Sequence, residues 1–229
     1  MQLQLDAGDA AAQGLCDDAN SPWILARDAQ GRLQLSDARQ PRQRPLCLEL
    51  DGPEVQRRAA EGKKGLLPKA LGFKRSPWHI LDLTAGLGRD MATCALLGMQ
   101  VTACERHPLM RALLADALER AEPRMRAQIT LLSGTAEPAL WQSVDAVAYD
   151  PMYPGTQKQA AQPALALQQL RALVGADSDV EALFAQLRQA PPKRLAVKRP
   201  PRGASVQLAP AQVEFRGKAV HWAVYLEGA

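Results

Sequence analysis

The chain has 229 residues, of which 47% are hydrophobic and 23% are charged. This length and composition are typical of one globular domain with a sizeable core, and they exclude collagen, coiled coil and general disorder. The longest apolar stretch, around residues 91–99, is far shorter than the roughly 20 residues of a membrane-spanning helix. The first residues lack the basic start and apolar core of a signal peptide, so we expect a cytoplasmic protein without a membrane partner.

The net charge of +4 is unevenly distributed. Residues 39–75 hold ten basic side chains against four acidic ones, and residues 188–202 hold six basic side chains and no acidic one. Two such stretches favour a polyanionic partner such as nucleic acid, although a solvated basic surface has the same composition. The cysteines form no C-x-x-C pair, so we predict reduced thiols and no metal site. They are Cys16, Cys47, Cys94 and Cys104.

The first 50 residues predict a small β-rich appendage, with the main domain over residues 51–229. Two of its strands flank residues 28–31, whose composition suits a hairpin turn, and residues 37–46 are typical of a loop. After it, residues 54–72 are rich in glycine and basic side chains, which predicts a helix broken by Gly62, Gly65 and Pro68. The strands predicted in the appendage are Gln2–Leu5, Trp23–Arg27, Arg32–Leu35 and Leu46–Leu50.

From Trp78 onward, apolar strands alternate with helical stretches. This alternation predicts a parallel sheet with helices on both faces and a ligand crevice at the carboxyl ends of the strands. A terminal hairpin over residues 212–226 supplies an antiparallel edge and makes the sheet seven-stranded. The other predicted strands are Trp78–Thr84, Gln100–Glu105, Ala127–Leu132, Val144–Tyr149 and Arg194–Lys198. The predicted helices are Arg89–Leu97, Pro108–Ala121, Ala164–Val174 and Asp179–Gln189.

A glycine turn follows the first strand of this region, in the segment Asp82–Asp90. Gly86 and Gly88 allow a sharp turn and a close approach to a ligand, and the following helix offers free N–H groups to an anion. Glu105 ends the next strand, 17 residues after Gly88, where a carboxylate can accept both hydroxyls of a ribose. The spacing therefore indicates a nucleoside ligand.

The identity of that ligand depends on what the turn lacks. Met91 stands where the dinucleotide fingerprint has a third glycine, and no glycine loop ends in Lys-Ser or Lys-Thr. S-adenosylmethionine (SAM) fits better, because carboxylates such as Asp82 or Asp90 can meet its ammonium group. A dinucleotide-dependent oxidoreductase stays open as the alternative class of enzyme.

A second motif, Asp150-Pro151-Met152-Tyr153-Pro154, follows the fourth predicted strand of the sheet and opens to the same crevice. It resembles the Asp-Pro-Pro-Tyr motif of methyltransferases that act on exocyclic amines of bases. Such an amine is a poor nucleophile because its lone pair is delocalised into the ring. The Asp150 carboxylate and the Pro151 carbonyl can accept its two hydrogens, and Tyr153 offers a stacking face worth roughly 1–3 kcal/mol. A proline-rich turn without this chemistry is the structural alternative.

Together, the segments Asp82–Asp90, Cys104–Arg106, Asp150–Pro154 and Val197–Pro200 resemble the bacterial small-subunit ribosomal RNA methyltransferase J family. The resemblance covers about residues 50–226. It implies a class I Rossmann-like fold, SAM as cofactor, and methylation of a guanine 2-amino group in 16S rRNA, either naked or in the 30S subunit. The cofactor contacts that it implies are Arg89, Asp90, Glu105, Arg106, Thr135, Ala136 and Asp150.

Basic side chains near the crevice are candidates for binding RNA phosphates. Three kinds of alternative remain open beside the guanine reaction. They are the same chemistry on adenine in RNA or DNA or on a protein glutamine, the dinucleotide-dependent oxidoreductase, and a non-catalytic RNA-binding assembly factor. The candidate RNA contacts are Arg57, Arg58, Lys63, Lys64, Lys198 and Arg199.

Overall fold

A computed structural model describes residues 13–17, 20–153, 164–199, 208–218 and 220–228. The predicted strand Gln2–Leu5 and the motif residues Pro154 and Pro200 lie outside these ranges. The described strands are β1 (Trp23–Arg27), β2 (Leu33–Asp37), β3 (His79–Asp82), β4 (Gln100–Glu105), β5 (Ile129–Ser133), β6 (Ala146–Tyr149), β7 (Arg194–Arg199), β8 (Val213–Arg216) and β9 (His221–Leu226).

The four predicted helices of the main domain are present between the strands, and two short helices, Pro123–Arg126 and Pro138–Ser143, were not predicted. One helical turn over residues 13–17 (α1) stands where only strands were expected. Among the described helices, none is long and apolar enough to cross a membrane. The other helices are α2 (Pro53–Ala60), α3 (Leu66–Ala70), α4 (Arg89–Leu96), α5 (Pro108–Arg120), α6 (Pro123–Arg126), α7 (Pro138–Ser143), α8 (Leu165–Val174) and α9 (Val180–Gln189), with a 3₁₀ turn at Gly62–Lys64.

The central sheet has seven strands in the order β5-β4-β3-β6-β7-β9-β8. Strands β3 to β7 pair in parallel, and β9 pairs antiparallel with both β7 and β8. This arrangement confirms the predicted mostly parallel sheet, whose antiparallel edge is the terminal hairpin. Asp82 is in register with Ala103 of β4 and Ala148 of β6, so these strands reach their carboxyl ends at one edge of the sheet. A ligand crevice is expected at that edge.

The central strands are buried along most of their length because both faces of the sheet are covered. Strand β6 is buried at every position, as is typical of a parallel strand between helical layers. Alternate side chains enter two different clusters of buried apolar residues. One face carries Ile80, Ala148 and Ala196, and the other carries Leu81, Val147 and Leu195.

The N-terminal hairpin β1–β2 is antiparallel, as predicted, and packs on helix α5. Leu33 belongs to the same buried cluster as Leu113 of α5. The buried carboxylate of Asp116 accepts a hydrogen bond from the Leu33 N–H at 3.1 Å and pairs with Arg27 at 2.5 Å. The appendage therefore contacts the core of the chain, and its proposed boundary at residue 50 stays a prediction.

Two further expectations for local structure were wrong. The segment Leu46–Leu50 is not a strand: in the described chain its backbone pairs through a single bridge between Leu46 and Leu35. Its alternating leucines are buried because one side of an extended segment faces the core, which gives the same period-two pattern as a strand. Pro68 does not break a helix, because it lies in the first turn of α3, where the N–H groups have no partner within the helix.

Candidate active site

A cavity of about 890 Å³ opens at the carboxyl ends of β3, β4, β6 and β7. Helix α2, the start of α4, one face of α8 and the β8–β9 turn form its other walls. Asp82, Gly88 and Ala136 are not among its lining residues, and neither are the exposed Lys63 and Lys64. The predicted residues that do line it are Arg57, Arg58, Gly86, Arg89, Asp90, Glu105, Arg106, Thr135, Asp150, Pro151, Tyr153, Lys198 and Arg199.

The two glycines of the turn after β3 have different neighbours. Both have positive φ, +52° at Gly86 and +75° at Gly88, which is the region that favours glycine. Gly86 lines the cavity. A Cβ at Gly88 would lie 2.5 Å from Leu50 Cδ2 and 2.9 Å from Leu114 Cδ2. Gly88 therefore allows side chains of the protein to pack closely beneath the cavity. The sequence had suggested instead that this glycine allows a close approach to the ligand.

Glu105 connects the end of β4 to the glycine turn. Its Oε2 accepts the Gly86 N–H at 3.0 Å, and its Oε1 accepts the His107 N–H at 2.8 Å. Burial raises the pKa of Glu105 above its usual value, although these two hydrogen bonds oppose the shift. Each carboxylate oxygen has a second lone pair. The side chain is thus held in place and keeps acceptor capacity at the cavity wall.

Four charged side chains form a continuous chain at one wall of the cavity: Arg58, Asp90, Lys198 and Asp150. Arg58 Nη2 donates to Asp90 Oδ1, while Lys198 Nζ lies 3.1 Å from Asp90 Oδ2 and 2.7 Å from Asp150 Oδ2. Burial opposes ionisation of Asp90, but Lys198 and Arg58 outweigh it and hold the pKa of Asp90 well below its usual range. Burial raises the pKa of Asp150, and Lys198 limits that rise. We call these four residues the charge chain.

The turn that carries Asp150 is held by hydrogen bonds from two other segments. The Asp150 N–H donates to Thr84 Oγ1 at 2.8 Å, directly after β3. The Met152 N–H donates to Asp177 Oδ2 at 2.7 Å, and the Asp177 N–H donates back to the Met152 carbonyl at 2.9 Å. The position of the turn relative to the sheet is therefore set by Thr84 and Asp177.

Asp177 is a site residue that the sequence analysis missed. It pairs with Arg106, which also lies 2.8 Å from Asp179. Asp177 thus connects the end of β4, through Arg106, to the turn that carries Met152. The available signal was a Gly-Ala-Asp-Ser-Asp segment before α9, which is equally typical of a helix start.

Tyr153 lies at the cavity wall with its hydroxyl turned into the protein. The side chain is buried, and its hydroxyl donates to the Lys198 carbonyl at 3.0 Å. Burial raises the pKa of Tyr153 to about 12, so the phenol is neutral near pH 7. Its role as a stacking face for a base stays a prediction.

The candidate RNA contacts differ in their exposure and partners. Arg199 is partly buried and donates to the Leu208 carbonyl at 3.3 Å. Arg58 and Lys198 belong to the charge chain and already have carboxylate partners. Lys63 and Lys64 are exposed, and Arg57 is exposed beside Glu61, with 3.3 Å between the charged atoms. Exposed basic groups beside the cavity are suited to phosphate contacts.

Comparisons with known proteins agree with this geometry. The family model SAM_MT, described as "Putative SAM-dependent methyltransferase", matches residues 10–227. Ribosomal RNA small subunit methyltransferase J of Tolumonas auensis is 39% identical over 197 residues, which cover 80% of this chain and 77% of that protein. The protein of that name from Pectobacterium atrosepticum is 36% identical over 93% of this chain and 90% of its own length.

A solved structure supports the same assignment. The crystal structure of a SAM-dependent methyltransferase from Neisseria gonorrhoeae matches with a TM-score of 0.71 and 27% identity. The match covers 98% of this chain and 93% of that one. The chain therefore belongs to the ribosomal RNA small subunit methyltransferase J family of SAM-dependent methyltransferases.

Proposed function

We propose that this protein transfers a methyl group from SAM to the exocyclic 2-amino group of a guanosine in 16S rRNA. The observation that carries this proposal is the shared cavity: the Asp150–Tyr153 turn lines one side of it, and Gly86 and Glu105 line another. The amine that receives the methyl group and a nucleoside-type cofactor can therefore bind in the same cavity. The rRNA methyltransferase names of the relatives support RNA as the substrate class.

The described residues fit SAM as the methyl donor. Gly86 gives the left-handed turn beside the cavity, and Glu105 keeps lone pairs for ribose hydroxyls. Asp90 and Asp150 place carboxylate oxygens at the wall of the cavity that would hold the ammonium and sulfonium of SAM, with Arg58 and Lys198 balancing their charge. When bound, SAM supplies a methyl group on a good leaving group. We propose that Gly86, Arg89, Asp90, Glu105, Arg106, Thr135 and Asp150 hold it, with Asp82 and Ala136 supporting these loops from behind.

The turn then prepares the amine for attack. The Asp150 carboxylate accepts one amine N–H and the Pro151 carbonyl accepts the other, which orients the nitrogen lone pair toward the methyl carbon at about 3–3.5 Å. The nitrogen–carbon bond forms as the carbon–sulfur bond breaks, with its electron pair remaining on sulfur. The hydrogen bonds strengthen as the nitrogen gains positive charge, so they favour the transition state over the bound base. After transfer the nitrogen is positively charged and acidic, and it releases its extra proton to water.

Product analysis tests the proposal. The protein is incubated with SAM labelled in the methyl group and with either 30S subunits or naked 16S rRNA, and the RNA is digested to nucleosides. We expect the label in N2-methylguanosine with at least one of the two substrates, and an initial rate of labelling about 10²–10³ lower with Asp150→Ala. Label in methyladenosine, label in protein glutamine, or no transfer to either substrate would contradict the guanine assignment.

A further inference from the structure

We infer that Lys198 is a positioning residue for methyl transfer: its ammonium group orients the Asp150 carboxylate toward the acceptor amine. This inference rests on the proposed function and assigns Lys198 a role inside the cavity instead of at an RNA phosphate. Lys198 lines the same cavity as Asp150 and Pro151, and its ammonium is 2.7 Å from Asp150 Oδ2.

Lys198 contacts both ends of the Asp150–Tyr153 turn, which carries the oxygen atoms proposed to accept the amine N–H groups. Its side chain binds Asp150 at the start of the turn, and its backbone carbonyl accepts the Tyr153 hydroxyl at 3.0 Å. Strand β7, which carries Lys198, pairs with β6, from which the turn emerges. A substitution of the side chain removes the first contact and leaves the second, because the carbonyl belongs to the backbone.

The ammonium group of Lys198 is itself held in place. It lies 3.1 Å from Asp90 Oδ2 and 5.5 Å from the centre of the buried Trp222 ring. Trp222 is the direct antiparallel partner of Lys198 in the sheet. Such a ring face attracts a cation, and the attraction is larger where water is displaced. With 22% of its side chain exposed, Lys198 is less available to an RNA phosphate than the exposed lysines are.

The contact leaves the other Asp150 oxygen available. Lys198 binds Oδ2, and within the described residues Oδ1 has no hydrogen-bond partner. An ionised carboxylate held by one oxygen can present the second to an amine N–H. The other ionisable groups nearby act in both directions. Asp90 repels a negative charge on Asp150, and so does Asp82 once it is ionised, whereas Arg58 beyond Asp90 favours one. Tyr153 stays neutral. Among the described residues, Lys198 is the cation in direct contact with Asp150.

The test compares Lys198→Met with Lys198→Arg in the full chain, using single-turnover methyl transfer at saturating SAM and saturating RNA. Because a hydrogen bond between charged groups is lost, we expect Lys198→Met to lower the rate at pH 7 by about 10- to 100-fold. Without the cation, Asp150 takes up a proton more readily, so the acid limb of the rate profile moves to higher pH. Lys198→Arg restores a positive charge and keeps the acid limb near its wild-type position.

RNA affinity supplies the readout that separates positioning from phosphate binding. We expect Lys198→Met to leave the RNA dissociation constant and its salt dependence unchanged. Lys193→Met is the matched control. Lys193 is exposed, directly precedes the amino end of β7, and does not line the cavity. We expect this variant to keep the wild-type methyl-transfer rate, the wild-type position of the acid limb of its rate profile, and the wild-type RNA affinity.

Three outcomes would overturn the inference while leaving the proposed function intact. The first is a wild-type rate and acid limb for Lys198→Met. The second is a weaker, less salt-dependent RNA affinity with a normal rate at saturating RNA, which would make Lys198 a phosphate contact. The third is an equal upward shift of the acid limb in Lys198→Arg. If Lys198→Met does not fold, Lys198→Gln replaces it with the same expectations. Failure of the proposed function itself is distinguishable, because the wild-type protein then transfers no methyl group to guanine.

Discussion

Asp82 is a buried carboxyl group whose ionisation lowers the stability of the folded protein. Its Oδ1 accepts the Thr84 N–H at 3.1 Å, and its Oδ2 has no hydrogen-bond partner among the described residues. Burial, reinforced by the negative charge of Asp90, raises the pKa of Asp82 to about 7. Because the ordinary value is about 4, the folded state binds this proton more tightly than the unfolded state between pH 4 and 7. The contribution of Asp82 to stability therefore falls as pH rises through that window.

Asp82→Asn should remove this pH dependence. Between pH 5 and 7 we expect the wild type to lose up to about 1.4 kcal/mol of unfolding free energy per pH unit relative to the variant. Urea unfolding of both proteins without SAM, at several pH values, measures the difference. Parallel curves of stability against pH for the two proteins would show that Asp82 ionises normally in the folded state.

Contacts between distant segments limited what the sequence could predict at the residue scale. Glu105 and Asp150 were predicted at strand ends, and the structure brings both to one cavity. Lys198 was expected on an RNA-binding rim because a basic strand end has no visible partner in sequence. Asp90 lies 108 residues before it, and only the parallel sheet brings the two side chains together. Asp177 was missed for the same reason, since its partners Arg106 and Met152 are 71 and 25 residues away.

At the scale of elements, the start of helix α4 depends on close packing at Gly88. Gly88→Ala introduces both an unfavourable backbone conformation and a Cβ 2.5 Å from Leu50 Cδ2. We expect a loss of about 2–5 kcal/mol of unfolding free energy, from about 1–2 for the backbone and about 1–3 for overpacking. Chemical denaturation measures it.

Gly31→Ala is the matched control for this change. Gly31 has a similar φ of +78°, but a Cβ added there would meet no atom within 4 Å apart from its chain neighbours. The control should lose only the backbone contribution. Equal losses for the two variants would show that packing against Leu50 and Leu114 does not require glycine.

Helices and strands were predictable where burial gives a regular pattern over several residues. Strands β3, β4 and β6 are almost wholly buried because both faces of the sheet are covered, and α5 buries a largely apolar face. Helix α6, with four residues, is too short to show a helical period, and the sequence analysis missed it together with α7. The extended segment Leu46–Leu50 was predicted as a strand because its side chains are alternately buried. Its backbone pairs at a single bridge, and the sequence pattern carries no information about that pairing.

For the whole molecule, exposed basic groups beside the cavity should determine how RNA affinity depends on salt. We expect Lys63→Glu/Lys64→Glu to weaken RNA binding and to reduce the salt slope by at most about 0.7–0.9 per lost phosphate contact. Filter binding at several salt concentrations measures both quantities. Arg124→Glu/Arg126→Glu is the matched control, because these exposed residues precede β5 at the amino ends of the parallel strands. Equal effects of the two pairs would indicate a general charge effect.

The central claim is that Asp150 accepts a hydrogen bond from the amine that receives the methyl group. Single-turnover transfer to guanine at saturating SAM and RNA tests it most directly, with Asp150→Ala and Asp150→Asn beside the wild type. Loss of one charged acceptor should lower the rate by about 10²–10³ in Asp150→Ala. Asp150→Asn, which keeps one oxygen acceptor, should retain partial activity, and RNA affinity should change little in either variant. A wild-type rate for Asp150→Ala would contradict the claim.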